Sequence, residues 1–325
     1  VSRLSRDRPS VTQVALCTTD LPSTIKRLVE IFHFADAGGD VLWGHWLGQL
    51  QDAGDEAICS IWWLCSRQSF FQVELFEHKV PKAKPLAARR RACDVGWTRL
   101  GISVPDFDAT LERLGRFGIP TITEPVSFGG SRRVCFRDPD VGAIVEIIEE
   151  GGAGAPQMRE FDVAPIVSYA ALSLTDMALG RRFFGDVLGM PEVDPALLHT
   201  AEMEALWGLE GASREIAVFD GGGVAIELCA YSDPTPQALP DDAQIVDLGL
   251  SHVGFGLRDR ADFGAMVERL EAAGSTFTTT LGDGPTSTYL YGPERTPVEI
   301  MSFPQNLDPD YGFAPREVKL RPPSW

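Results

Sequence analysis

The chain has 325 residues, 44% of them hydrophobic, and a formal net charge of −17. That charge argues against nucleic acid or an anionic membrane as a partner, and no apolar run approaches the ~20 residues that span a bilayer. The six cysteines form no CxxC pair and no small-domain framework, so reduced thiols in a cytoplasmic protein are expected; no signal-peptide pattern opens the sequence.

After a polar start, Gln13–Asp20 (QVALCTTD) alternates as a half-buried strand does, with Gln13, Ala15 and Cys17 on one face. Asp20 is placed to cap a helix from Leu21 to about Phe32, whose Ile25, Leu28, Val29 and Phe32 form one stripe. Strand-like runs follow at Val41–Leu47, Ala57–Cys65 and Phe70–Phe76. A Pro/Lys/Arg-rich connector, Lys79–Arg91, leads to a second unit: strand Arg99–Val104, helix Phe107–Phe117, and strands near Thr121–Thr123, Ser131–Phe136 and Ala143–Ile148. Gly151–Pro156 reads as a linker. The third unit has strand Tyr169–Asp176, a helix containing Arg181–Met190, and strands near Glu202–Trp207, Glu215–Phe219 and Val224–Ala230. The fourth has strand His252–Leu257, helix Phe263–Ala273, and strands Phe277–Thr280, Ser287–Tyr291 and Val298–Phe303.

The units repeat. Asp94–Asp106 (DVGWTRLGISVPD) and Asp247–Asp259 (DLGLSHVGFGLRD) share one build, with Arg99 and His252 at the variable position. Each unit ends on an apolar-Glu-apolar strand. From the variable first-strand residue to that glutamate there are 61 positions for Gln13–Glu74, 47 for Arg99–Glu146, 58 for Tyr169–Glu227 and 47 for His252–Glu299. Long, short, long, short implies a duplicated two-unit block, hence domains at 11–150 (units 11–78 and 95–150) and 165–304 (units 165–231 and 248–304), with a tail at 305–325.

Alternation sets these polar residues opposite the helix-packing side chains. If neighbouring units share a curved sheet, one cup holds Gln13, Glu74, Arg99 and Glu146, and the other Tyr169, Glu227, His252 and Glu299. The second set suits a divalent metal (Fe, Mn, Zn, Ni or Co) held by His252, Glu299 and Glu227. Tyr169 and Glu227 are placed to move a proton, and Tyr289 to hydrogen-bond an oxygenated substrate. The alternative is a His252–Glu299 pair in a polar pocket without metal. In the first set Arg99 is a pure donor and is expected to neutralise Glu74 and Glu146. Trp43, Trp46, Trp62, Trp63 and Trp97 are expected as packing residues or as an aromatic pocket lining. His33, His45, His78 and His199 show no partner in the sequence.

Four strand-helix-three-strand units with FFGDVLGM and FRDPD–VEI signatures resemble the vicinal oxygen chelate superfamily, which includes glyoxalase I, methylmalonyl-CoA epimerase, type I extradiol dioxygenases and the fosfomycin- and bleomycin-resistance proteins. The resemblance spans about Val11–Phe303. It implies an α+β fold of four βαβββ modules paired into two incomplete barrels around a metal or ligand cup. It also implies a small-molecule substrate, and a homodimer is compatible with it. In dioxygenase-like members the metal positions would fall on Tyr169, His252 and Glu299, with Tyr289 as the active-site tyrosine. Glyoxalase-like members draw ligands from all four corners, a pattern that Glu227, His252 and Glu299 fit better. The function expected is therefore metal-dependent isomerase or lyase chemistry, with dioxygenase-like ring cleavage and non-catalytic sequestration as alternatives.

Overall fold

A computed structural model describes residues 8–85, 90–151, 165–279 and 286–315. The elements run β1 (Ser10–Cys17), α1 (Leu21–Phe32), β2 (Ala35–Trp43), α2 (His45–Leu50), β3 (Ile58–Cys65) and β4 (Gln72–Val80) in the first unit. The second has β5 (Gly96–Val104), α3 (Phe107–Arg116), β6 (Val126–Phe128), β7 (Ser131–Arg137) and β8 (Ile144–Glu149). The third has β9 (Ile166–Leu174), α4 (Met177–Arg181) continued by a π-turn over Arg182–Val187, β10 (Glu192–Val193), β11 (Ser213–Asp220) and β12 (Ala225–Asp233). The fourth has β13 (Gly249–Leu257), α5 (Arg260–Ala272), β14 (Thr286–Tyr291) and β15 (Pro297–Ser302).

One device starts every unit. The first strand ends in an aspartate whose carboxylate accepts from the backbone N–H groups of the next turn: Asp20 from Ser23, Asp106 from Ala109, Asp176 from Ala178 and Leu179, Asp259 from Ala261 and Asp262. The helix then crosses back, and the unit's last strand lies parallel to its first, as β4 on β1, β8 on β5, β12 on β9 and β15 on β13. The helices and the outer sheet faces share one continuous apolar core. Among the described residues no helix is long and apolar enough to cross a membrane.

The sheets are not built from neighbouring units. β1 pairs antiparallel with β13, and β5 with β9. A seven-stranded sheet therefore joins the first unit to the fourth, and an eight-stranded sheet joins the second to the third. This corrects the expected pairing of units within 11–150 and within 165–304. Unit lengths could not decide it, because either arrangement joins one long unit to one short one.

Smaller differences have local causes. Residues 201–207 form a 3₁₀ turn rather than a strand, closed by Gly208 at φ 79. The run expected as a strand at Val41–Leu47 breaks at Gly44, φ 93, where α2 begins. Thr121 makes a single bridge to Phe136, and Phe277 one to Leu290. Thr280, most of the linker Gly151–Pro156 and part of the connector Lys79–Arg91 lie outside the described residues. So do positions 316–325 of the tail; Pro304–Pro315 folds back against the first sheet, where Phe313 is buried beside Phe70, ring centroids 4.9 Å apart.

Candidate functional site

Each sheet curls around a buried polar cluster, and the two differ in charge. In the 1–4 sheet, Gln13 on β1 and His252 on β13 come from the paired central strands, and Glu74 and Glu299 from the strands flanking them. The register sets Gln13 opposite Gly254, where an added Cβ would lie 2.9 Å from that of Gln13. The glycine gives the amide its room. With its nitrogen inward, Gln13 donates to Glu74 Oε2 and Glu299 Oε2, both at 2.6 Å. His252 Nε2 lies 3.1 Å from the Gln13 amide, 3.1 Å from Glu299 Oε2 and 3.8 Å from Glu74 Oε2.

The surroundings fix the imidazole. Ser251 has one hydroxyl proton and gives it to Ile245 O at 2.6 Å. Its oxygen can then accept from His252 Nδ1–H at 3.0 Å, which turns Nε2 toward the carboxylates. Trp63 Nε1 donates to Glu74 Oε1 at 2.9 Å. Burial first, and the Glu299 charge second, push the Glu74 carboxyl well above its ordinary range, against the pull of the Trp63 bond. Tyr289 stands edge-on to His252, ring centroids 4.8 Å apart. A cavity of about 270 Å³ opens on this cluster, lined by Trp46, Leu50, Trp63, Phe76, Tyr289 and Phe303 among others.

The 2–3 cluster has the same four corners: Tyr169, Arg99, Glu227 and Glu146. Here the protein supplies the cations. Arg99 pairs with Glu227, and its guanidinium lies 4.0 Å over the Trp207 ring. His199, from the segment after β10, bridges the carboxylates, with Nδ1 2.8 Å from Glu227 Oε1 and Nε2 2.8 Å from Glu146 Oε2. Arg133 reaches Glu146 at 3.2 Å, Arg214 reaches Glu227 at 3.3 Å, and Tyr169 donates to Glu146 at 2.5 Å. Burial alone would raise both carboxyls. His199 and Arg99 instead hold Glu227 well below its ordinary range, and His199 and Arg133 hold Glu146 below it. Burial opposes a charge on His199 too, but the two glutamates raise it. Arg99, Glu146, Tyr169, His199 and Glu227 are all inaccessible to solvent.

The expected site residues are thus divided. His252, Glu299 and Tyr289 meet in one cup, whereas Glu227 and Tyr169 are corrected to the other, sealed behind ion pairs. Arg99 neutralises Glu227 rather than Glu74 or Glu146. Tyr291 reaches the rim, its hydroxyl 3.4 Å from Asp52. Of the tryptophans, Trp46 and Trp63 line the cavity, Trp97 is core, and Trp43 is 66% exposed. Sequence reasoning missed Gln13 and Glu74 as partners of His252. Their matching positions in the repeat were the available signal, and only the pairing was misjudged. His199 carried no signal. A larger cleft of about 400 Å³ at Arg8, Phe70, Met190, Asp220 and Arg258 lies apart from both clusters. Its Arg258 is already bonded to Asp308.

The group Glu74, His252 and Glu299 offers ligand atoms within 4.8 Å of one another. Cis ligands about 2.1 Å from a metal stand roughly 3.0 Å apart, close to the spacings here. Imidazole nitrogen, two carboxylates and an amide that can present oxygen are a fitting donor set for a divalent ion.

Comparison with known proteins agrees with this architecture. No curated protein matches the chain. A candidate dioxygenase from Bacillus subtilis superposes with TM-score 0.63 at 15% identity, over 98% of this chain and 93% of that one. Glyoxalase I from Zea mays superposes with TM-score 0.58 at 16% identity, over 90% and 92%. At such identities the likeness is one of fold. Two family models, both described as the Glyoxalase/Bleomycin resistance protein/Dioxygenase superfamily, match residues 12–136 and 166–300. The chain, with two such matches, four strand-helix-strand units and two curled sheets, belongs to that superfamily, the vicinal oxygen chelate proteins.

Proposed function

We propose that the chain is a divalent-metal-dependent isomerase or lyase acting on a small oxygenated substrate in the 1–4 cup, with Gln13, Glu74, His252 and Glu299 as the metal-holding residues. The observation that carries this reading is the contrast between twin clusters. Where Arg99, His199, Arg133 and Arg214 stand among Glu146, Glu227 and Glu204, each carboxylate has a protein cation beside it and the cluster is buried. Where Glu74 and Glu299 face each other with one histidine and an amide between them, a cavity opens. Two buried carboxylates without a fixed cation are costly unless one is protonated or a cation is bound.

A divalent ion held there would bind substrate oxygens and stabilise negative charge developing on them. The chain's own groups do the rest. Glu74, whose carboxyl burial and the Glu299 charge hold above its ordinary range, is suited to take a proton from carbon and return it. Glu299 is placed for the same exchange from the facing strand. Tyr289 donates a hydrogen bond to a substrate oxygen, and Trp46, Trp63 and Phe303 enclose an apolar or aromatic body away from water. Ring cleavage is the weaker reading, since the first-strand partner of His252 is Gln13 and not a second imidazole.

The test is elemental analysis and Co²⁺ titration of the wild type beside His252→Ala and Arg99→Leu. Metal should be bound by the wild type, lost in His252→Ala and retained in whatever Arg99→Leu protein folds. A wild type that neither carries nor acquires a divalent ion would leave a metal-free binding protein. Oxygen consumption with a catechol would instead favour ring cleavage.

A further inference from the structure

We propose that Gln72, which hydrogen-bonds Gln13 from the neighbouring strand, is a positioning residue that turns the oxygen of Gln13 toward the metal, and that it is itself set by the carbonyls of the returning C-terminal segment. This rests on the metal reading above.

The Gln13 and Gln72 amides face each other at 2.7 Å. One must give N–H and the other oxygen, so the pair has two arrangements, and heavy-atom positions alone do not distinguish them. In the first, Gln72 donates to Gln13, and Gln13 turns its NH₂ toward Glu74, Glu299 and His252. The Gln72 oxygen then faces Tyr311 O and Gly312 O, two acceptors with no proton between them. In the second, Gln72 donates to Gly312 O at 3.0 Å and Tyr311 O at 2.8 Å, and its oxygen accepts from Gln13. Gln13 then presents oxygen to two carboxylates beside the imidazole nitrogen. That outcome is repulsive by itself and favourable around a cation. The first arrangement suits an empty cup; the second suits a loaded one, with the C-terminal carbonyls favouring it.

Those carbonyls are fixed points. Gly312 has φ +76, and a Cβ there would lie 2.2 Å from Trp63 Cγ and 2.5 Å from Gln72 Oε1, so the close approach requires glycine. Cys65 Sγ contacts Gly312 O at 3.3 Å. Arg258 clamps the segment from below through Asp308 and through Phe303 O at 3.1 Å.

The experiment is a double-mutant cycle read by Co²⁺ affinity and the visible absorption of the cobalt-loaded full chain, with Gln72→Met, Gln13→Glu and the double variant. A glutamate at position 13 has oxygen at both ends and needs no orienting. Gln72→Met should weaken Co²⁺ binding about 10–100-fold in the wild-type background and change it little in the Gln13→Glu background. Equal losses in both backgrounds would reduce Gln72 to a packing residue, and no loss in either would remove its role; both overturn the proposal while the metal reading stands. A wild type that binds no Co²⁺ overturns the metal reading and this proposal with it. Circular dichroism melts confirm that each variant is folded.

Discussion

The sealed cluster makes a quantitative claim about His199. Replacing it by alanine removes two charge-assisted hydrogen bonds, each 2.8 Å long, between groups with no solvent access. Each such bond contributes about 1.5–3 kcal/mol. Breaking a buried ion pair costs about 3–5 kcal/mol overall. The glutamates retain Arg133, Tyr169, Arg99 and Arg214, so the lower part of that range, about 3–4 kcal/mol, is expected for His199→Ala. The control is His45, whose Nδ1 also sits 2.7 Å from a carboxylate, Asp55, but with the two side chains 64% and 78% exposed. An exposed pair is worth about 0–1 kcal/mol, so His45→Ala should be nearly silent. Urea unfolding at pH 6, followed by tryptophan fluorescence and far-ultraviolet circular dichroism together, measures both. Equal small losses would refute the claim that protein cations stand where the other cup needs an external one.

The same cluster sets a pH dependence. Glu227 and Glu146 titrate below the ordinary carboxylate range, so their contribution is complete above the unfolded value of 4.5 and fades as pH falls through their folded values. His199 titrates above its ordinary 6.5, so its contribution is complete below 6.5 and fades as pH rises through its folded value. The stability difference between wild type and His199→Gln should therefore be largest between about pH 4.5 and 6.5 and shrink on the alkaline side; a difference that grew with alkaline pH would contradict the assignment. All six cysteines are buried, and burial pushes the Cys17 thiol up to about 12. Native protein should not react with a thiol reagent at pH 8, and all six should react in denaturant; rapid native labelling of Cys17, Cys59 or Cys65 would show that the 1–4 sheet opens.

The fold was legible because its signals are local. Period-two alternation marks most of the strands, the four capping aspartates mark the helix starts, and the recurrence of apolar-Glu-apolar marks the unit ends. The site was half legible. His252, Glu299 and Tyr289 lie in one unit, so their meeting follows from that unit's own strand pairing. Gln13 and Glu74 belong to a unit some two hundred residues away, and their placement depends on which first strands pair. That choice lies in non-local strand contacts: Val14 of the first unit stands opposite Val253 of the fourth, and Leu100 of the second opposite Ala170 of the third. No periodicity within a unit encodes such contacts. His199 was invisible for another reason. It sits in irregular backbone after β10, where no repeat position announces it.

Pairing of outer with outer and inner with inner units has one consequence that contiguous domains would not have. A cut between positions 151 and 165 leaves Gln13 and Glu74 on one fragment and His252 and Glu299 on the other. Each fragment also loses the partner of a central strand, β1 or β13 and β5 or β9, exposing long unpaired edges. Separately expressed fragments should therefore aggregate or stay unfolded and take up no Co²⁺. Co-expressed, they should associate, since two antiparallel strand pairs and a continuous core cross the cut, and the reassembled complex should recover the cobalt absorption of the intact chain. A C-terminal fragment that bound Co²⁺ alone with the affinity of the full chain would mean that Gln13 and Glu74 are dispensable. The four-corner cup would then be wrong, because one unit would be supplying the whole ligand set.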